Sequence, residues 1–154
     1  MFEGLNEIEL SGEKFPIKCD LLVLEKAQEK YGDIEEFEKK IMSVKPLLDE
    51  DGKRVKDKKG NQKYVVVMPD IEATNDALYW MALEGEDIAA EHDGREKKKR
   101  TREAVLRRVD LSPVRLAMKV HEEFARCFEE KNAGTTQGTQ TAGETIGEDQ
   151  GEDR

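Results

Sequence analysis

Residues able to do chemistry are few in this chain, and they are scattered. There are two histidines, His92 and His121, and two cysteines, Cys19 and Cys127. A general base needs an oriented partner and a cleft, and neither histidine has a sequence neighbourhood that announces one. A structural or catalytic zinc needs three or four clustered ligands, and four Cys and His residues spread over 154 do not cluster. Without CxxC spacing, the cysteines read as reduced thiols packed as small apolar groups. Paired acids such as Glu35-Glu36 and Glu122-Glu123 abound, but adjacent residues on a helix face different directions and read as solvated surface. The phosphate-binding GxxxxGK[ST], the dinucleotide-binding GxGxxG and the nucleophile-elbow GxSxG are all missing from the sequence. The expectation is a protein that is no enzyme, with no catalytic residue, no cofactor and no metal.

One stretch stands out chemically, "REKKKRTREAVLRR", residues 95–108. It sets eight bases, including Arg95, Lys97, Lys98, Lys99, Arg100 and Arg102, against two acids, Glu96 and Glu103. Three readings stand side by side. Clustered cations neutralise phosphates, which would make a nucleic-acid patch, although no stacking aromatics are interleaved. They also suit an acidic protein partner, or the chain's own acidic stretch "EGEDIAAEHD". The third reading is a solvated loop. A small nucleic-acid-associated regulator working through this stretch is the alternative function. The net charge of −9 argues against nucleic acid, or an anionic membrane, as a general partner.

The elements that must position these residues are plainer. Length suits one domain, and 36% hydrophobic against 40% charged residues allows only a modest core. Small domains bury little surface alone, which leaves room for self-association. No run approaches the ~20 apolar residues of a membrane span. The opening "MFEGLNEIEL" lacks the basic start and apolar run of a secretory signal.

Ile8 and Leu10 alternate with acids, Phe15 and Ile17 with lysines, and Ser11-Gly12 lies between, so the start reads as a β-hairpin. Asp20 caps a helix whose face is Leu21, Leu24, Gln28 and Tyr31, with Val23 and Ala27 beside it, and Gly32 stops it. Asp33 caps a second helix with Ile34, Phe37, Ile41 and Val44 on one face. Residues 45–69 form a charged insertion. Lys53, Arg54, Lys56, Lys58 and Lys59 lie between the turn signals Asp51-Gly52 and Gly60-Asn61, with Lys63 just after them, and "KYVVVM" has strand character, so it reads as a protruding β-hairpin, or else as a flexible loop. A helix from Asp70, with Ile71, Thr74, Leu78 and Met81 on one face and Ala77 and Trp80 widening it, is expected to end at Gly85, with a polar loop after it. Thr101 caps a short helix. Ser112 and Pro113 start a last helix of roughly 18 residues, with Val114, Ala117, His121, Phe124 and Phe128 as its stripe. Residues 132–154 are rich in Gly, Thr and Gln. Five acids against one base give them a net −4, leaving −5 for the rest. Such a tail buries too little to offset its ordering entropy and is expected to be disordered. The expected fold class is mainly α (α+β): one small helical domain over residues 1–131 with an N-terminal β-hairpin, a charged hairpin insertion, and a disordered acidic tail.

The stretch "FPIKCDLLVLEKAQEKYGDIEEFEKKI" resembles the start of the tail assembly chaperones of long-tailed, siphovirus-type bacteriophages that infect Gram-positive hosts. The matching residues are Phe15, Pro16, Ile17, Leu21, Leu24, Gln28, Tyr31, Gly32, Ile34 and Phe37. The insertion "DEDGKRVKDKKGNQK", the helix "IEATNDALYWMALEGEDI" and the closing "HEEFARCF" are also similar to that family, so the likeness runs from about Asn6 to Lys131, though it is built largely from ordinary helix grammar. It implies a non-catalytic chaperone that coats the apolar helical tape measure protein and helps recruit tail tube protein. It also implies action in the host cell cytoplasm and absence from the mature virion. On this reading Leu21, Leu24, Phe37, Ile41, Trp80, Phe124 and Phe128 are the candidate partner-binding residues, in faces suited to helix-in-groove recognition. For most of them a core role is the simpler expectation.

Overall fold

The computed structural model describes residues 5–129. The expected tail, 132–154, lies outside the described residues. The chain forms a small, mainly helical α+β domain with two antiparallel hairpins that pair within themselves.

Strands β1 (Asn6–Leu10) and β2 (Glu13–Ile17) pair antiparallel, with Ile8 opposite Phe15. Their period-2 alternation turns Ile8, Leu10, Phe15 and Ile17 inward. Helix α1 (Leu21–Tyr31) begins where the Asp20 carboxylate accepts bonds from the Leu22 and Val23 amides. Helix α2 (Ile34–Ile41) begins in the same way on Asp33, which accepts from Glu35 and Glu36. Caps of this kind stabilise a helix by about 1 kcal/mol each.

The longest element, α3 (Ile71–Asp93), corrects the expected stop at Gly85. Gly85 lies inside the helix because β2 crosses it there. A Cβ on residue 85 would sit 2.2 Å from the Pro16 carbonyl oxygen. At the same crossing the Lys18 amide donates to the Met81 carbonyl at 3.0 Å. The glycine therefore serves close approach of two backbones rather than termination. The stop comes at Gly94, whose left-handed backbone (φ 69°) caps the helix and directs its amide to the Ala90 and Glu91 carbonyls.

Short helix α4 (Arg102–Leu106) starts on Thr101, and α5 (Pro113–Arg126) starts on Ser112 with Pro113 in its first turn. Helix α5 is shorter than the roughly 18 residues expected. The core sits among β1–β2, α1, α2, α3 and α5. Phe37 lies at its centre, with the rings of Tyr31, Phe124 and Trp80 at 5.2, 5.8 and 6.2 Å.

Two carboxylates are sealed into this core and stitch elements together. Glu123 on α5 accepts from the Cys19 amide at 3.1 Å, from Asn6 at 2.9 Å and from Arg126 at 2.9 Å. Asp76 on α3 accepts from Lys30 at 2.7 Å, Tyr31 at 2.8 Å and Arg102 at 3.0 Å. Burial alone would raise the Asp76 pKa. The bonds from Lys30, Tyr31 and Arg102 outweigh it and hold the carboxyl below its usual range.

The insertion is a folded arm. Strands β3 (Val44–Pro46) and β4 (Tyr64–Val66) pair antiparallel, with Val44 opposite Val66 and Pro46 opposite Tyr64. Between them two similar turns, "DEDG" and "DKKG", are each held by their first aspartate. Asp49 accepts from the amides of Asp51 and Lys53, and Asp57 from those of Lys59 and Asn61. The Gln62 side chain donates to the Val55 and Lys63 carbonyls at 3.0 and 2.7 Å in the middle of this fold-back. The arm joins the body at its root, through Val67 N–H to the Ser43 carbonyl and Asp70 N–H to the Lys40 carbonyl, both 2.8 Å.

Candidate functional site

The basic stretch is largely turned onto the chain itself. Arg95 pairs with Glu86 at 2.6 Å and Lys97 with Asp87 at 3.0 Å, both on the acidic second half of α3. Arg100 pairs with Glu13 and lies over the Phe15 ring at 4.8 Å, while Arg102 reaches Asp76 and Arg108 reaches Glu13. The reading that matched these cations to the chain's own acidic stretch 84–93 fits Arg95 and Lys97, whereas Arg100, Arg102 and Arg108 reach acids outside that stretch. Lys98 and Lys99 are exposed and make no side-chain ion pair among the described residues. The stretch roofs a cleft of about 540 Å³ whose floor includes Phe15, Pro16, Tyr79 and Val105. Glu84 lines the same cleft. A hydrogen bond with the Asp20 carboxyl, reinforced by partial burial, pushes its pKa up to about 7.

His121 does stand beside a carboxylate, with Nε2 2.8 Å from Glu38 Oε2. It lines neither the 540 Å³ cleft nor the neighbouring one of about 430 Å³. Cys19 and Cys127 lie far apart in sequence, but Cys19 is buried in the core and Cys127 packs against that same core. Burial, foremost, pushes both pKa values up, so neither is a ready thiolate. No group of three or more metal-ligating side chains is found among the described residues.

The candidate partner-binding residues divide. Phe37, Ile41 and Phe124 are fully buried, so as surface contacts they are a correction. Each faces the centre of the domain, where helix periodicity cannot tell a core stripe from a docking stripe. Leu24 and Trp80 are half-buried and pack against the same core. Leu21 and Phe128 are free, at 78% and 57% exposure. On α1 the inward residues are Val23 and Ala27, so the buried face is rotated away from the expected Leu21.

On α5 the rotation matters more. Leu116, Ala117, Val120, Glu123 and Phe124 point inward. At 100° per residue, Val114, Met118, His121 and Ala125 share an outer strip less than a quarter-turn wide, and Phe128 follows in the turn just past the end of the helix. Met118, Ala125 and Phe128 are exposed, and Val114 and His121 half-buried. Phe128 stands edge-on to Phe124 with ring centroids 5.2 Å apart, so its position is supported from below.

Sequence reasoning passed over a second apolar surface, on the arm. Strand alternation and the observed register put Val44 and Pro46 on the same face as Tyr64 and Val66, with Leu48 and Met68 exposed just beyond the paired residues. Tyr64, Val66 and Met68 are 60%, 69% and 67% exposed. The signal was present as alternate apolar residues in both halves of the insertion, but only pairing reveals that the two sets coincide.

Comparison with protein-family models, with curated proteins and with solved structures finds no match for this chain.

Proposed function

We propose that this protein is a non-catalytic tail assembly chaperone of a siphovirus-type bacteriophage. On this reading it holds the apolar, helical tape measure protein soluble in the host cytoplasm and helps recruit tail tube protein before the virion is complete. The observation that carries the reading is the outer strip of α5. A chain with 40% charged residues keeps Met118 and Ala125 exposed on one side of α5, with Phe128 exposed in the turn just past its end. Such a surface suits a partner helix, whose own apolar stripe it would cover. The sequence resemblance between Asn6 and Lys131 supplies the partner's identity.

The test is co-expression with the tape measure protein of the same phage. The expected result is co-purification and a soluble partner, with Phe128→Glu or Met118→Glu weakening capture at least tenfold while the fold persists. A genuine tape measure protein that neither co-purifies nor gains solubility would overturn the proposal.

A further inference from the structure

We propose that residues 144–149 of this same chain dock in the cleft beneath residues 95–100, with Ile146 on its apolar floor and neighbouring carboxylates on Lys98 and Lys99. The cleft, of about 540 Å³, keeps an apolar opening, since Pro16, Tyr79 and Leu83 line it and are only half-buried. Much of the charge around it is already matched. Arg95 is held by Glu86, Lys97 by Asp87 and Arg100 by Glu13. Of the other lining cations, Lys26 has Glu84 nearby and Lys14 stands opposite Glu9 in the β1–β2 register. Lys98 and Lys99 are exposed and make no side-chain ion pair among the described residues. Glu7 also lines the cleft, on the β1 side, so an acidic ligand settles at the end formed by residues 95–100. The cleft therefore lacks one aliphatic side chain and two neighbouring negative charges.

The sequence after the described residues carries that combination once. Ile146 is the single large aliphatic residue of 132–154, and "ETIGED" sets Glu144 before it and Glu148 and Asp149 after it. Alternate residues of an extended chain share a side, so Glu144, Ile146 and Glu148 would present one apolar group between two carboxylates. The adjacent acids 148 and 149 match the adjacent bases 98 and 99 in number and sign.

The chain leaves the fold on the cleft side. Near the end of α5, Glu123 accepts from the Cys19 amide at 3.1 Å, and Cys127, one turn on, feels the charges of Lys18 and Asp20. The Asp20 carboxyl in turn bonds Glu84 in the cleft wall. Seventeen residues lead from Glu129 to Ile146, a reach of up to about 55 Å. A tether of this kind holds the segment at an effective concentration on the order of millimolar, ahead of the same segment from a second copy in dilute solution. A nucleic acid fits less well, because its phosphates would meet Glu7, Glu13, Glu84, Glu86 and Asp87 in the same lining.

Zero-length carbodiimide cross-linking of the full chain, read by peptide mass spectrometry, tests this. Amide bonds should join Glu144, Glu148 or Asp149 to Lys98 or Lys99. Lys53, Lys58 and Lys59 on the arm are also exposed and serve as the comparison, with few cross-links expected. In a mixture of nitrogen-15-labelled and unlabelled chains, each cross-linked pair should come from one chain. Ile146→Asp alters no described contact. It should lower the yield at Lys98 and Lys99 by roughly tenfold, the factor that goes with losing the burial of one aliphatic side chain. The amides of residues 96–100 should also exchange hydrogen faster in that variant.

Cross-links spread evenly over the cleft and arm lysines overturn the proposal, since an unplaced acidic segment would sample both. So do cross-linked pairs of mixed label, which would make a second copy the occupant. An Ile146→Asp variant with unchanged yield and unchanged exchange also overturns it, because the apolar floor would then hold nothing. The α5 strip takes no part in this contact, so the chaperone reading can stand or fall without it.

Discussion

At the scale of single residues, Asp76 and Glu84 contribute to the domain's pH response with opposite signs. Asp76 is 4% exposed at its side chain, but Lys30 and Arg102 are 42% and 34% exposed. Removing one member of a sealed ion pair costs about 3–5 kcal/mol. Here water can reach the cations left behind, so Asp76→Ala is expected to cost about 2–3 kcal/mol, read from urea unfolding. Because the folded-state pKa of Asp76 is depressed, its contribution is present above the unfolded value of about 4 and disappears as pH falls through the lower folded value. Asp76→Asn should therefore flatten the acid limb of the stability curve.

Glu84 has the opposite sign. Its pKa is raised to about 7, so the folded state favours its protonated form, and stability should decline as pH climbs from about 4 to about 7. Glu84→Gln keeps a hydrogen-bonding group against Asp20 and removes the second charge. It is expected to stabilise the protein at pH 8 by on the order of 1 kcal/mol after solvent screening, and to abolish that decline. A variant with the wild-type slope between pH 4 and 7 would refute the assignment.

At the scale of elements, the crossing of β2 over α3 is the tightest joint. Ala is ordinarily a better helix residue than Gly by about 1 kcal/mol, so propensity alone makes Gly85→Ala stabilising. The Pro16 carbonyl 2.2 Å from the new Cβ reverses the sign, because the clash is with backbone and no side chain can swing away. Forced overpacking costs about 1–3 kcal/mol, and Gly85→Ala should lower the thermal midpoint accordingly. An unchanged or raised midpoint would show that the two elements do not approach as described. The arm behaves differently. A lone two-stranded hairpin is marginal in water, and this one is held by its two aspartate turns and by Gln62 at its centre.

At the scale of the whole molecule, the arm stands apart from the core. It meets the body at its root bonds, and its large apolar side chains contribute nothing to the sealed interior. Replacing residues 48–62 with a short turn should therefore leave the thermal midpoint within about 4 °C of the wild type. A large drop would mean that the arm is part of the folding unit.

Local grammar determined much of this molecule. The caps at Asp20, Asp33, Asp70, Thr101 and Ser112, the Ser11-Gly12 turn and the turns at Asp51-Gly52 and Gly60-Asn61 specify their elements through bonds made within a few residues. Sequence alone therefore determined the helix starts, the hairpins and the charge of each segment. Tertiary structure decided which faces turned inward. Leu21 and Phe128 carry the same apolar signal as Val23 and Phe124, and a stripe on one helix does not record what packs on it. It also decided that Gly85 continues a helix, that Arg95, Lys97, Arg100 and Arg102 are paired within the chain, and that apolar residues of the arm's two strands meet on one face. Each of these depends on what a distant segment brings to the same place, and helix periodicity carries no information about that distance.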